Sequence, residues 1–166
     1  MRMTHQNPIV VRPFARQDQA AARQLILNGC GEHWGYIDES LNPDLDEIAA
    51  SYADGAFLCA WQGSELVGTG AYLPENAGTA RIVRMSTERT RRRCGIGTMV
   101  LAALLELARS QGYHRAVVET TADWADAVAF YQQRGFALID EGDGSAHFAM
   151  VLTHAAVLSH GDHGRQ

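Results

Sequence analysis

The chain has 166 residues, 46% hydrophobic and 20% charged, with a formal net charge of −5 at pH 7. That length and composition suit one compact domain with a full core and exclude global disorder. The acidic balance argues against a nucleic-acid partner, which is held by lysine and arginine neutralising phosphates, and no run reaches the ~20 apolar residues needed to cross a bilayer.

Met1 to Pro8 is polar, lacks the apolar stretch of a signal peptide and reads as an N-terminal extension. Ile9 to Phe14 is rich in β-branched residues and predicts a strand. Asp18 to Asn28 predicts a helix that Gly29 stops, followed by a loop from Gly29 to Pro43. Pro43 opens a second predicted helix running to about Tyr52. Ala56–Trp61 and Leu66–Leu73 predict a hairpin, and Thr79–Thr87 adds the next strand. After the basic loop from Glu88 to Cys94, the spacing of Ile96, Val100, Leu104, Leu107 and Ala108 predicts a helix closed by Gly112. Ala116–Thr121 predicts a strand and Ala125–Arg134 a helix. Phe136–Asp140 and His147–Leu152 predict two last strands, joined by a turn at Gly142-Asp143-Gly144. The tail from Thr153, with His154, His160 and His163, reads as a flexible terminus rather than a metal site. Cys30, Cys59 and Cys94 are odd in number and lack metal-ligand spacing, so free thiols in the cytoplasm are expected, with no metal.

The most informative segment runs from Arg84 to Thr98, a strand end, a basic loop with Gly95 and Gly97, then a helix. A helix start leaves backbone N–H groups without internal partners and carries partial positive charge. Glycines let a bulky anion approach, and arginines add forked donors. Singly, an arginine run reads as a solvated face and two glycines as a turn. Together they read as a pyrophosphate cradle. It is not a P-loop, since no Gly-Lys-Ser/Thr follows, nor a dinucleotide turn, since Val100 stands at the third glycine position.

Arg92-Arg93-Cys94-Gly95-Ile96-Gly97 matches the Gln/Arg-x-x-Gly-x-Gly/Ala signature of the GNAT superfamily of acyl-CoA-dependent N-acetyltransferases. With Ala80–Thr87 upstream and Ala127–Phe136 downstream, the chain resembles that family from about Ile9 to Leu152. The resemblance implies an α+β fold: a mostly antiparallel sheet of about seven strands, splayed between the fourth and fifth, with about four helices. The domain would span residues 9–152, between a 1–8 extension and a 153–166 tail. It implies an N-acetyltransferase moving an acetyl group from acetyl-CoA to a primary amine of a small-molecule or peptide acceptor by direct attack, as a monomer or homodimer. Backbone groups of Met85, Ser86 and Thr87 would bind the acyl and pantetheine part. Those of Arg92, Arg93, Cys94, Gly95, Ile96, Gly97 and Thr98 would hold the pyrophosphate. Tyr131 falls where the family places its general acid, beside the cofactor.

Two departures stand out. Trp124 replaces an asparagine that many members use on the cofactor arm, and Arg81 replaces a fourth-strand glutamate near the amine. The base therefore has several candidates: Glu32 or His33 in the loop after the first helix, Glu119, or a water chain. Trp34 and Tyr36 either line the acceptor pocket or cover the core. Arg81 and Arg84 either bind an acceptor carboxylate or form salt bridges. Cys94, with no histidine at readable spacing, is expected to play no covalent part. The alternatives are a non-catalytic acyl-CoA sensor and a nucleic-acid binder using Arg89 to Arg93. Asp38, Asp44 and Glu75 cannot be placed around a cavity from sequence.

Overall fold

The computed structural model describes residues 7–35 and 39–153. Tyr36, Asp38 and the tail histidines lie outside them. A seven-stranded sheet runs β1 (Ile9–Pro13), β2 (Ala56–Gln62), β3 (Glu65–Asn76), β4 (Thr79–Thr87), β5 (Arg115–Thr121), β7 (Ser145–Val151) and β6 (Ala137–Gly142) in spatial order. Every neighbouring pair is antiparallel except β4 and β5, which run parallel. A parallel pair needs a crossover, and α3 (Ile96–Ser110) supplies it.

Both faces of the central strands are covered, so β2 is apolar from Ala56 to Trp61 rather than alternating. Leu58 and Ala60 face α3, whereas Phe57 and Cys59 join Ala22, Ile26 and Leu27 of α1 (Gln19–Trp34) on the other face. Ile96, Val100, Leu101, Leu104 and Ala108 form the buried stripe of α3, as their helical spacing predicts. Leu104 is fully buried, and its truncation to alanine costs roughly 2–5 kcal/mol by lost transfer energy and cavity formation. The closing hairpin turns through Asp143 and Gly144, both at positive φ (52° and 79°), a mirror-image turn that matches strand twist.

Two expectations are corrected. Helix α1 does not stop at Gly29 but continues to Trp34, and Gly35 ends it in the left-handed region at φ 78°. Gly29 serves close packing instead: a Cβ there would lie 3.1 Å from the Ser86 hydroxyl. The predicted helix from Pro43 to Tyr52 breaks into a single 3-10 turn, Pro43–Leu45, and a short α2, Ile48–Ser51. Gln19 stabilises the break. Its amide donates to the carbonyls of Leu45 (2.7 Å) and Asp46 (3.1 Å) and accepts from the Ile48 N–H (3.0 Å), so backbone groups freed from a helix remain paired.

Candidate active site

The parallel β4–β5 ladder ends at Ile82 opposite Val118. β4 continues to Thr87 and β5 to Thr121, so the strands part and leave a cleft edged by Met85, Ser86 and Thr87. Unpaired backbone on that edge of β4 can accept an extended ligand as a strand would.

The basic turn and the start of α3 follow directly from β4. Glu88 caps a 3-10 turn over Arg89–Arg91, accepting from the Thr90 N–H at 3.1 Å. The chain then passes through Arg93 at φ 67° and Gly95 at φ 81° into α3. Met99 is the N–H that bonds back to the Gly95 carbonyl, at 3.0 Å. The N–H groups of Ile96, Gly97 and Thr98 therefore point out of the helix start. A Cβ on Gly97 would sit 3.2 Å from the Phe130 ring and 3.6 Å from the Thr87 hydroxyl, which would narrow the space beside those donors. The Ile96 side chain turns the other way, buried in the core.

The arginine run divides by partner. Arg91 is tied to Gln62 (2.9 Å), Glu65 and Glu88. Arg92 is exposed and pairs with Glu32 at 2.5 Å. Arg93 is exposed and makes no ion pair among the described residues. Cys94 is exposed, its thiol 3.8 Å from the Arg92 carbonyl.

Tyr131 sits on α4 (Ala125–Gln133), packed edge-on against Phe130 and Phe136. Its ring centroid lies 6.4 Å from that of Phe148. Burial pushes its hydroxyl above the usual tyrosine value of 10.0, which keeps it protonated. Phe148 lies opposite Val118 on β5. The next pair, Glu119 opposite His147, points to the other face of the sheet, the face on which α1 packs. Glu119 is thus the first β5 residue beyond the last rung to β4, and its carboxylate lies 4.0 Å from the His147 ring nitrogen.

Glu32 and His33, expected in a loop, lie in the last turn of α1. His33 stacks on Trp124 at 4.0 Å and 14°, with Trp34 edge-on at 4.5 Å. The end of α1 therefore touches both the arginine turn and the start of α4. Arg81 and Arg84 both form salt bridges, with Glu75 (3.1 Å) and Asp44 (2.5 Å); the Arg81 pair is exposed, the Arg84 pair largely shielded. Arg134 was missed from sequence. Its guanidinium donates to the Thr98 hydroxyl (2.8 Å) and lies over Phe130, tying α4 to the start of α3. Its position just before Gly135-Phe136 was the one available signal.

Two surface cavities lie away from the cleft. The larger, about 560 Å3, is framed by Gln111 and Gly112 just past the end of α3, where the helix carries partial negative charge and disfavours phosphate. Among the described residues no cluster of three or more His, Cys, Asp or Glu could hold a metal, and no helix is long and apolar enough to cross a membrane.

The pattern of the acetyltransferase (GNAT) family matches residues 19–136. N-acetyltransferase 8B of Homo sapiens is 30% identical over 109 residues, 61% of this chain and 48% of that protein, so the chain spans about half the length of such relatives. An acetyltransferase of the GNAT family from Staphylococcus aureus Mu50 superposes with a TM-score of 0.81 at 21% identity, over 88% of this chain and 100% of that one. PaiA N-acetyltransferase from Thermoplasma acidophilum, solved in complex with coenzyme A, gives a TM-score of 0.76 at 16% identity, over 87% and 99%.

Proposed function

The chain belongs to the GNAT acetyltransferase family, and on that premise we propose that it transfers the acetyl group of acetyl-CoA to a primary amine. The observation that carries this reading is the parting of β4 from β5 directly beside the glycine-arginine start of α3. The residues there fit a coenzyme A: an open strand edge for the pantetheine amides, outward N–H groups for the pyrophosphate, and Arg92 and Arg93 for its charge. Acetyl-CoA would supply an activated thioester carbonyl.

The chain's own groups divide the proton work by face. An amine must be neutral to attack, and we assign Glu119, on the α1 face with its carboxylate half exposed, to accept the ammonium proton and pass it to water. Glu32 is engaged by Arg92 and His33 by Trp124, so we assign those two to shaping the cleft wall. As the C–N bond forms and the C–S bond breaks, Tyr131, on the opposite face and kept protonated by burial, gives its proton to the leaving sulfur and is restored by the second proton that the nitrogen sheds. Cys94 needs no role beyond its backbone.

The test is thermal stability with acetyl-CoA, alongside NAD and duplex DNA, followed by thiol release with a panel of amines. Acetyl-CoA at ~100 times its Kd adds about 2.7 kcal/mol, which raises Tm by roughly 5–10 °C at this size. A Gly95/Gly97 double alanine variant loses that rise, because Gly95 needs φ 81° and Gly97 needs space. No rise in the wild type would refute the donor site. A rise with no thiol release from any amine would leave a binding protein in place of an enzyme.

A further inference from the structure

β4 carries a bulge at Arg84. Val83 lies opposite Ala71 and Ser86 opposite Thr69, so β4 spends one more residue than β3 over the same step. The extra residue reverses the alternation of everything after it. Val83 packs with the cluster on the α1 side. Past the bulge it is Ser86 that takes that side, its hydroxyl 3.1 Å from the Cβ position of Gly29. Met85 packs with the α3 cluster, its sulfur 2.6 Å from the Cβ position of Gly70. In an unbulged strand Met85 would share the face of Val83. The cleft edge that faces the acyl donor is therefore set by one backbone irregularity.

That irregularity sits on a residue that disfavours it. Arg84 has φ 56°, in the left-handed region that a Cβ opposes. Its side chain offsets this. Nε donates to Asp44 Oδ2 (2.9 Å), Nη2 to Asp44 Oδ1 (2.5 Å) and Nη1 to Asn42 Oδ1 (3.0 Å). The Tyr52 hydroxyl donates to Asp44 Oδ2 at 2.6 Å, and the Arg84 carbonyl accepts from the Thr69 hydroxyl at 2.9 Å. The forked pair is largely shielded, with side chains 20% and 28% exposed. Arginine meets a carboxylate with two parallel donors, which fixes direction as well as distance.

We propose that Arg84 is a positioning residue for the acyl donor: clamped by Asp44, it holds the β4 bulge that sets which face Met85, Ser86 and Thr87 take, and so which backbone groups they present, along the cleft edge. It touches no reacting atom and acts through the backbone. This inference rests on the donor site proposed above.

The experiment is calorimetric titration of acetyl-CoA into wild type, Arg84→Met, Asp44→Asn and Arg84→Gly, with Tm recorded for each. Arg84→Met and Asp44→Asn are expected to raise Kd about tenfold, the scale of one lost charge-assisted hydrogen bond. Arg84→Gly lacks the same ion pair but adopts φ 56° freely. It is therefore expected to bind more tightly than Arg84→Met, although both lose the clamp. A merely structural role makes affinity follow Tm, with Arg84→Gly no better than Arg84→Met, and that result overturns the proposal. So does an unchanged Kd in Arg84→Met and Asp44→Asn. If those two fail to fold, Tyr52→Phe removes one hydrogen bond to Asp44 and is expected to raise Kd in the same direction, about twofold; no change overturns the proposal. A wild type that does not bind acetyl-CoA overturns this inference together with the proposed function, whereas wild-type binding with unaltered variants overturns the inference alone.

Discussion

The guanidinium of Arg92 lies 2.5 Å from the carboxylate of Glu32, joining the basic glycine turn to the last turn of α1. Both groups are partly exposed, so the pair contributes little to stability, about 0–1 kcal/mol. With the donor bound as proposed, it would compete with a phosphate for the same guanidinium. Glu32→Gln should leave Tm within a degree or two and tighten acetyl-CoA binding up to about fivefold. Turnover should persist in that variant, while Glu119→Gln should lose roughly 10²–10⁴ in kcat at unchanged donor affinity. Steady-state kinetics on both variants decides between the two carboxylates; a collapse in Glu32→Gln would return the base to α1.

Tyr131→Phe keeps the ring contacts with Phe136 and Phe148 and removes the hydroxyl. The expected outcome is a near-native Tm with kcat reduced about 10²-fold or more. Burial raises the folded-state pKa of this hydroxyl above its ordinary 10.0. Its neutral form is therefore fully present at lower pH, and the associated stability is lost as pH climbs above the unfolded value. A pH–rate profile should show no alkaline loss from Tyr131 below about pH 10. A wild-type decline near pH 8 that vanished in Tyr131→Phe would refute its assignment as a protonated donor.

Acid should find the Arg84–Asp44 clamp. Burial works to raise the pKa of Asp44, but hydrogen bonds from Arg84 and Tyr52 outweigh it and hold the carboxyl below its ordinary 3.8. A depressed folded pKa gives stability that is complete above the unfolded value and lost as pH falls through the folded one. Urea midpoints should therefore be insensitive to this pair above pH about 4 and fall below it. In Asp44→Asn that part of the acid dependence should disappear, which a comparison of midpoints at pH 3 and pH 6 measures.

The three thiols should separate by reactivity. Cys94 is exposed, Cys30 intermediate and Cys59 buried, with its pKa pushed up to about 12, chiefly by burial. Alkylation near pH 8 should modify Cys94 first and reach Cys59 only on unfolding. Acetyl-CoA should slow modification of Cys94, and Cys94→Ala should retain turnover. Unslowed labelling at saturating acetyl-CoA would place the pyrophosphate elsewhere.

The clearest elements were those whose signal is local. The apolar spacing of Ile96, Val100 and Leu104 marked α3, the Asp143-Gly144 turn marked the last hairpin, and Arg92 to Gly97 marked the basic glycine turn, because a helix start and its preceding loop are contiguous in the chain. Gly29 misled for a physical reason. A glycine that makes room for Ser86 looks, in sequence, like one that ends a helix. Moving that boundary carried Glu32, His33 and Trp34 from a loop onto α1.

The chain by itself determined the order of strands and helices and the place of the basic glycine turn, since each depends on neighbours within a few residues; a place for Tyr131 beside that turn came only from the family resemblance. The tertiary structure alone decided which charges meet. Arg84 and Asp44 are 40 positions apart, and Glu32 reaches Arg92, and His33 reaches Trp124, only when α1 lies across the sheet. It also decided which way β4 faces at the cleft, because one extra residue at Arg84 inverts a period-two pattern that sequence reading assumes unbroken.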